Sequence, residues 1–549
     1  MSIECIVIGF NDEKMEATVK RTGNYQERSA SNNHMLSRSA ICEGKYLKFS
    51  ELVNRSISTS MGVQCDLSVY RMPNMAVHYL ADYLNKRGVE TARVNNFNHD
   101  KEKLKLLLKN ERPLCVGISS TCQVDPAPIR EVIEFIRKYN KDTQVIVGGP
   151  FINSINYEYT TAQKNFILRK IGADIYIHER QGQKALLEIC LALRDKNSNI
   201  GSIPNIIYER DRKYIHTEKR AENTSLDEDP VKEMTFYPEY PKPSVYVQTA
   251  LSCSLHCAFC RYPILGGNQM FMSLKSVEEN FNYLKQCKVK YLVFIDDSLN
   301  IPLERFKAML KMMIKNKYDF KWFSFFRISH SDEETYELMK QSGCTGVILG
   351  VESGNNTILK NMDKQVTAEK LRWGIAQLHK NHIISYASVM IGFPGETEET
   401  VKDTINFIRE TKPTFYDLQV WFYEKSVPIA KEKDYYRLEG YGYSWKHKDM
   451  DSLRASEIVS NTIQEISESR FMPSLSFNLW SLGYYLSQGA KVEEFLTFCD
   501  IFRKLVNAKL TDVDAEYVSN MKKLMHVFEN NADLRANLSM RNLPEYIDK

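Results

Sequence analysis

Three cysteines carry the clearest chemistry in this chain. Cys253, Cys257 and Cys260 lie in Ala250-Leu-Ser-Cys-Ser-Leu-His-Cys-Ala-Phe-Cys260, directly after a run that reads as a β-strand. Thiolates with three and then two residues between them can converge from one loop on one metal centre. A cubane cluster has four irons, so three cysteines leave one iron open to a substrate or cofactor. Zinc is the plainer alternative, but a closed structural zinc site needs four ligands. His256 supplies a fourth only by distorting the loop. Random placement of twelve cysteines gives such a triplet with probability on the order of 0.01.

Further along lie three segments with candidate ligand groups. Phe294-Ile-Asp296-Asp297-Ser298 ends one strand candidate, and Leu349-Gly-Val-Glu352-Ser353-Gly354 ends another. Ile391-Gly392-Phe393-Pro394-Gly395-Glu396-Thr397 ends a third. Taken singly, Glu352 or Asp296 is more often a solvated carboxylate or a helix cap. Glycines 350, 354, 392 and 395 are ordinarily turn residues.

Together, in this order and spacing, these segments resemble the radical S-adenosylmethionine (SAM) superfamily over roughly residues 244–400. The resemblance implies a [4Fe-4S] cluster on Cys253, Cys257 and Cys260. In that family SAM chelates the open iron through its amino and carboxylate groups. Its cleavage then yields methionine and a 5′-deoxyadenosyl radical. The SAM-binding set implied is Phe259, Asp296, Asp297, Arg327, Glu352, Ser353, Ile391 and Phe393. Ile358-Leu-Lys-Asn-Met-Asp-Lys364 continues the Glu352 pattern. The Gly-Gly-Glu that many relatives carry at the second strand end is absent here, where Asp296-Asp297-Ser298 stands instead.

In the N-terminal half, Val116-Gly-Ile-Ser119-Ser120-Thr121 and Val145-Ile-Val-Gly148-Gly149-Pro150 each close a strand candidate. Open α/β sheets bind ligands beyond carboxyl strand ends, and small residues there let the backbone approach a large ligand. Physics alone leaves any nucleotide-like cofactor, or an empty turn. The order of these segments, followed by Gly172-Ala-Asp-Ile-Tyr-Ile-His178-Glu179-Arg-Gln-Gly182-Gln183, resembles the cobalamin-binding domain that precedes many radical SAM domains. The cobalamin set implied is Ser119, Ser120, Thr121, Gly148, Gly149, Pro150, Glu179 and Gly182. Classical cobalamin domains carry Asp-x-His-x-x-Gly, and this chain has no Asp-x-His. His34, His78, His99 and His178 read as surface or core residues, so no histidine is expected on the lower face of cobalt.

Val7-Ile-Gly-Phe-Asn-Asp12 and Trp421-Phe-Tyr-Glu-Lys-Ser-Val-Pro428, with Trp445-Lys-His447, resemble one group of cobalamin-dependent enzymes. It includes the P-methyltransferases of phosphinothricin-type antibiotic biosynthesis. The resemblance implies methylation of an unactivated carbon or a phosphinate phosphorus, on a small-molecule or peptide substrate. It also implies methylcobalamin and an external flavodoxin- or ferredoxin-like electron donor. Tyr416, Trp421, Tyr423 and Trp445 are candidates for the substrate pocket, or are ordinary aromatic core. Rival readings are cobalamin-dependent rearrangement or cyclisation, a methylthiotransferase, and an iron–sulfur binding protein without catalysis. A methylthiotransferase needs a second cluster, for which Cys5, Cys42, Cys65, Cys115 and Cys122 are scattered candidates. These read mostly as core thiols, and Cys287, Cys344 and Cys499 are too dispersed for an auxiliary cluster.

The elements that must position these residues follow an α/β pattern. Strand candidates at Ile3–Ile8, Glu90–Val94, Leu114–Ser119, Gln144–Val147 and Asp174–Ile177 alternate with amphipathic stretches. In one of these, Ile129, Val132, Ile133 and Ile136 share a face. The expectation is a doubly wound parallel sheet over 1–215, with 11–72 as an inserted cap and 216–243 as a Pro-rich linker. Strand candidates Val245–Thr249, Tyr291–Ile295, Trp322–Phe326, Gly346–Gly350 and Ser385–Ile391 predict a partial or full β/α barrel over 244–423. Residues 424–549 read as mainly helical.

Composition agrees with a chain of several domains. Its 549 residues are 43% hydrophobic and 26% charged, and 73 basic against 69 acidic residues give a net charge of +4. That balance gives no footprint for nucleic acid. No run of about 18 apolar residues suggests a membrane span, and the first residues lack the basic start of a secretory signal. A cytoplasmic protein is expected, its cysteines thiols or metal ligands rather than disulfides.

Overall fold

The computed structural model describes residues 2–11, 28–121, 123, 125–195, 199–228, 244–474 and 477–541. These divide into two compact units. The first comprises 1–13, 70–234 and 262–276, and the second 14–69, 235–261 and 277–549.

The first unit is a seven-stranded sheet. Its strands are β1 (Cys5–Phe10), β2 (Thr91–Asn96), β3 (Cys115–Ser119), β4 (Gln144–Gly148), β5 (Ile175–Ile177), β6 (Ile206–Arg210) and β7 (Lys213–His216), in the order β2-β1-β3-β4-β5-β6-β7. The first five run parallel, and β6 and β7 continue the sheet antiparallel. All five expected strands form; β6 and β7 were not anticipated. Alternation along the strands feeds two cores, as a sheet covered by helices on both faces requires. Ile6, Ile8, Val116, Ile118, Val145 and Val147 pack on one side, with Ile129, Val132, Ile133 and Ile136 of helix Pro126–Tyr139. Cys5, Val7, Cys115 and Ile146 pack on the other, with Leu186, Ile189 and Cys190 of helix Gln183–Arg194.

The described part of the expected linker, 216–228, is bound into this unit. Glu222 accepts the Lys184 and Ala185 amides, both at 3.0 Å. Those are orphan donors of a helix start, which explains why the segment is held. The prolines at 230, 238, 241 and 243 lie outside the described residues.

The second unit carries seven parallel strands in sequential order: β8 (Ser244–Val247), β9 (Tyr291–Phe294), β10 (Lys321–Phe326), β11 (Cys344–Glu352), β12 (Ile384–Ile391), β13 (Phe415–Val420) and β14 (Arg470–Phe471). The hydrogen-bonded order runs from β8 to β14 without closing, which makes it a partial barrel. β14 comes from the region expected to be only helical. It is two residues long, too short to leave a periodic signal.

Opposite faces of this sheet have different partners. Phe294 and Trp322 meet Phe281 and Phe306 of the surrounding helices. On the other face Trp480, in helix Leu479–Ser487, packs edge-on against Tyr246 and Phe325 at 6.4 and 5.0 Å. Part of the C-terminal helical region therefore fills one face of the sheet. Residues 28–69 of the first crossover also belong to this unit. Phe49 sits among Phe477, Phe498 and Phe502, and Arg38 pairs with Asp417 of β13 at 3.1 Å with both side chains closed to solvent. Among the described residues, no helix is long and apolar enough to cross a membrane.

Candidate functional site

The cysteine loop leaves β8 and is held from β9. Asp296 accepts the Thr249 and Ala250 amides, both at 2.7 Å, and the Thr249 hydroxyl at 2.8 Å. Burial pushes its carboxyl up to about 6, against the pull of those same hydrogen bonds. Fully enclosed, Asp296 orients the loop; Asp297 beside it is partly exposed. Ser252 follows with φ +72°, a left-handed backbone that non-glycine residues adopt where surrounding structure imposes it. The loop then gathers the thiols. Cys253, Cys257 and Cys260 share one apolar patch with Leu255, Phe259 and Ile301. Cys253 Sγ lies 3.3 Å from Ser298 Oγ, and the Cys260 amide donates to the Cys257 carbonyl at 3.0 Å.

Around the thiols stand cations and rings. Arg327 follows β10, its Nη1 3.6 Å from Cys257 Sγ and its Nη2 donating to the Lys364 carbonyl at 2.9 Å. Asn300 fixes the Arg327 backbone through both its amide groups. Glu352 ends β11 with φ +62°, and Lys364 Nζ reaches its Oε1 at 2.9 Å. The Lys364 ammonium also lies 5.4 Å from the centre of the Phe259 ring, which meets Phe393 edge-on at 6.4 Å. Lys364, Asn300 and Ser298 were not singled out from the sequence. Lys364 and Ser298 stood only as the last residues of motif stretches, and Asn300 gave no signal.

The remaining expected SAM contacts are turned inward. Ser353 is fully buried and shares its hydroxyl with Thr404 at 3.0 Å. Ile391 and Phe393 are buried as well, which leaves their backbone and ring edges as contact surfaces. Between them Gly392 has φ +95°, and a Cβ there would meet the Trp445 ring at 2.4 Å. Glu396 Oε2 accepts the Gly392 amide at 2.5 Å, and burial pushes its carboxyl up to about 8.

The four aromatic pocket candidates are core. Tyr416, Trp421, Tyr423 and Trp445 are each at most 4% exposed. Trp421 packs on Phe393, Tyr423 and Trp445, and the Trp445 indole donates to the Trp421 carbonyl at 2.7 Å. Partly open residues occur instead on the Tyr246 and Phe325 side, with Gln248, Ser388, Met390 and Gln419 also partly exposed at the same sheet. Gln419 is oriented through its amide nitrogen, which donates to Asp417 at 2.9 Å and Ser474 at 2.6 Å.

In the first unit, the small-residue segments meet at adjacent strand ends. Ser119 of β3 pairs with Gly148 of β4, and the Ser119 and Thr121 hydroxyls lie 2.9 Å apart. Gly149 has φ +102°, and a Cβ there would meet Ser120 Oγ at 3.0 Å. It opens helix Pro150–Glu158, while Ser120 Oγ accepts the Phe151 amide at 3.2 Å. At the end of β5, buried Glu179 leads to Gly182, φ +70°, which opens helix Gln183–Arg194. The eight expected residues therefore lie at the carboxyl ends of β3, β4 and β5 and in the turns that follow, and α/β sheets of this order bind ligands at the β1–β3 switch point. His178 at this edge is buried and lies against His216, ring centres 6.4 Å apart.

The cysteines named as candidates for the rival's second cluster, and read mostly as core thiols, do not collect at those strand ends. Cys5 and Cys115 open β1 and β3 at the opposite end, joined by Cys190. Cys42 and Cys65 are buried in the other unit, and Cys122 lies outside the described residues.

Residues 247–408 match the model of the radical SAM superfamily, so the chain carries a radical SAM domain. An uncharacterized methyltransferase of Pyrococcus horikoshii, PH0819, is 24% identical over 311 residues, covering 55% of this chain and 66% of that protein. The ribosomal protein uS12 methylthiotransferase RimO of Alkaliphilus oremlandii is 26% identical over 204 residues, covering 34% of this chain and 46% of RimO. The match thus spans less than two thirds of the length of these relatives. The fold is similar to that of the radical SAM methyltransferase TsrM of Kitasatospora setae, solved with cobalamin and a [4Fe-4S] cluster. There the TM-score is 0.55 and the identity 18%, over 66% of this chain and 72% of TsrM. It is also similar to the cobalamin-dependent SAM radical enzyme OxsB, solved with aqua-cobalamin, with a TM-score of 0.55 and 12% identity, over 85% of this chain and 81% of OxsB.

Proposed function

We propose that this enzyme is a cobalamin-dependent radical SAM methyltransferase. Its substrate is a small molecule or peptide, methylated at an unactivated carbon or a phosphinate phosphorus. The observation that carries the reading is the Cys253–Cys257–Cys260 loop, whose three thiols share one apolar patch beyond the first strand of a parallel sheet. Two features fit the groups implied. The donor set is three soft thiols with no fourth cysteine beside them among the described residues, which suits a cluster with one free iron. At the other sheet, Gly149 and Gly182 leave space that a Cβ would take from Ser120 and Ile177, which suits close approach by a large ligand.

When bound, the cluster with SAM supplies a 5′-deoxyadenosyl radical and cobalamin supplies the methyl group. The chain's own part is placement and shielding. Arg327 sets a fixed positive charge beside the Cys257 sulfur. Asp296 and Arg305 hold the backbone at Thr249 and so aim the loop. Lys364 holds Glu352 at the strand end where the resemblance puts the sugar and methionine groups. Phe259 and Phe393 keep water from the adenine side. Ser119, Ser120, Thr121, Gly148, Gly149, Pro150, Glu179 and Gly182 would cradle cobalamin, and no histidine of this chain would be needed to hold it.

Anaerobically purified protein tests this directly. About four iron and about one cobalt per chain are expected, with 5′-deoxyadenosine formed on reduction and label from methyl-labelled SAM appearing in the corrin. Electron paramagnetic resonance of its cob(II)alamin should lack nitrogen splitting. The RimO match supports a second reading, a methylthiotransferase, which requires about eight iron per chain and no cobalt.

A further inference from the structure

Three thiols meet inside the first unit, far from the cofactor edge. Cys5 opens β1, Cys115 opens β3 in register beside it, and Cys190 reaches them from helix Gln183–Arg194. Their Sγ atoms all lie within 4.8 Å of one another, with Cys115 and Cys190 at 3.5 Å. Exposure is 0%, 0% and 2%, and the surroundings are Val7, Ile146, Leu186 and Ile189. The opposite strand end at Ser119 is about 13 Å away, four residues at strand rise.

We propose that Cys5, Cys115 and Cys190 bind one copper(I) ion. Sulfurs about 2.3 Å from a central metal in a plane stand about 4 Å from one another, which matches the observed spread. Three sulfur donors select a soft metal, whereas zinc almost always takes a fourth ligand. Glu4, next to Cys5 in the chain, is engaged by Arg194 at 2.7 Å. A monovalent ion on one thiolate and two thiols forms a neutral unit, and an apolar core tolerates a neutral unit far better than a charged one. Binding to a Cys190 thiol releases one proton, and no electron is transferred. The ion would tie the first strand, the third strand and the covering helix together at the end of the sheet away from cobalamin.

The test supplies copper(I) anaerobically, both during expression and as its acetonitrile complex to the purified holoenzyme. Free and loosely held copper is then removed with bathocuproine disulfonate. Wild-type protein should keep about one copper per chain, with a thiolate-to-copper band in the near ultraviolet and unchanged iron. Cys190→Ala and Cys115→Ser should lose both signals and retain their iron. A Cys253→Ala/Cys257→Ala/Cys260→Ala variant should still keep the copper. Equal retention in Cys190→Ala overturns the proposal, as does copper gained only with loss of iron, or no retention by wild type from either source. A thiol count short by two that dithiothreitol restores would make the trio a redox pair instead.

Discussion

Lys364 and Glu352 form a buried ion pair at the end of β11, Nζ to Oε1 2.9 Å, with both side chains nearly closed to solvent. The pair rests on Gly350, where a Cβ would stand 2.5 Å from Glu352 Oε1 and 2.7 Å from Lys364 Nζ. It also carries Glu352 through its left-handed backbone. Removing one partner of such a pair strands the other charge and costs about 3 kcal/mol. Lys364→Met should lower the thermal midpoint of cluster-loaded protein by several degrees and cut 5′-deoxyadenosine formation at least tenfold. Adding Glu352→Gln should recover much of the midpoint and none of the activity. A single variant that melts like wild type refutes the structural half.

Glu396 makes stability depend on pH in an unusual direction for a carboxylate. Its ordinary value is 4.5, and burial raises it to about 8 in the folded chain. Between those values the folded state keeps a proton that the unfolded state has lost, so stability falls as pH rises through this window and levels off above it. Glu396→Gln keeps an acceptor for the Gly392 amide and removes the titration. Melting points taken from about pH 5 to about pH 9 should fall less in the variant than in wild type. Parallel profiles would contradict the assignment.

Asp296 should matter to iron retention, although it touches no sulfur. Its Oδ1 accepts both the Thr249 and Ala250 amides and its Oδ2 accepts the Thr249 hydroxyl, and Asn turns a donor toward that hydroxyl in place of the second oxygen. Asp296→Asn should lose at least half of its reconstituted iron, measured against Asp297→Asn, which should keep it.

Gly483 sets how closely helix Leu479–Ser487 approaches β10. A Cβ there would stand 2.8 Å from the Phe323 ring, and overpacking of this kind costs about 1–3 kcal/mol. Gly483→Ala should destabilise the protein and Phe323→Leu should partly rescue it, because residues in contact do not act additively. Simple addition of the two effects in melting experiments would place the helix elsewhere.

The parts legible in sequence were those whose signal is local. Cys253, Cys257 and Cys260 sit within eight residues, so their chemistry is written in their spacing. Strands such as Cys115–Ser119 and Gln144–Gly148 are buried on both faces and therefore read as short apolar runs. What stayed open needed tertiary knowledge. Trp421 and Trp445 look the same whether they wall a pocket or fill a core, and only the packing of Phe393 and Tyr423 against Trp421 distinguishes the two. Asp296 was placed at the right strand end, but its partners lie 46 and 47 residues back in the chain. The same distance hid Arg38, whose counter-charge Asp417 comes from β13. The trio of Cys5, Cys115 and Cys190 was invisible for that reason too.

Cys257 gives the most direct test, since it is the most buried of the three loop cysteines and the one beside Arg327. After anaerobic reconstitution, wild-type protein should hold about four iron per chain and convert SAM to 5′-deoxyadenosine under a low-potential reductant, and Cys257→Ala should do neither. A Cys257→Ala protein with a full cluster and undiminished cleavage would contradict the account.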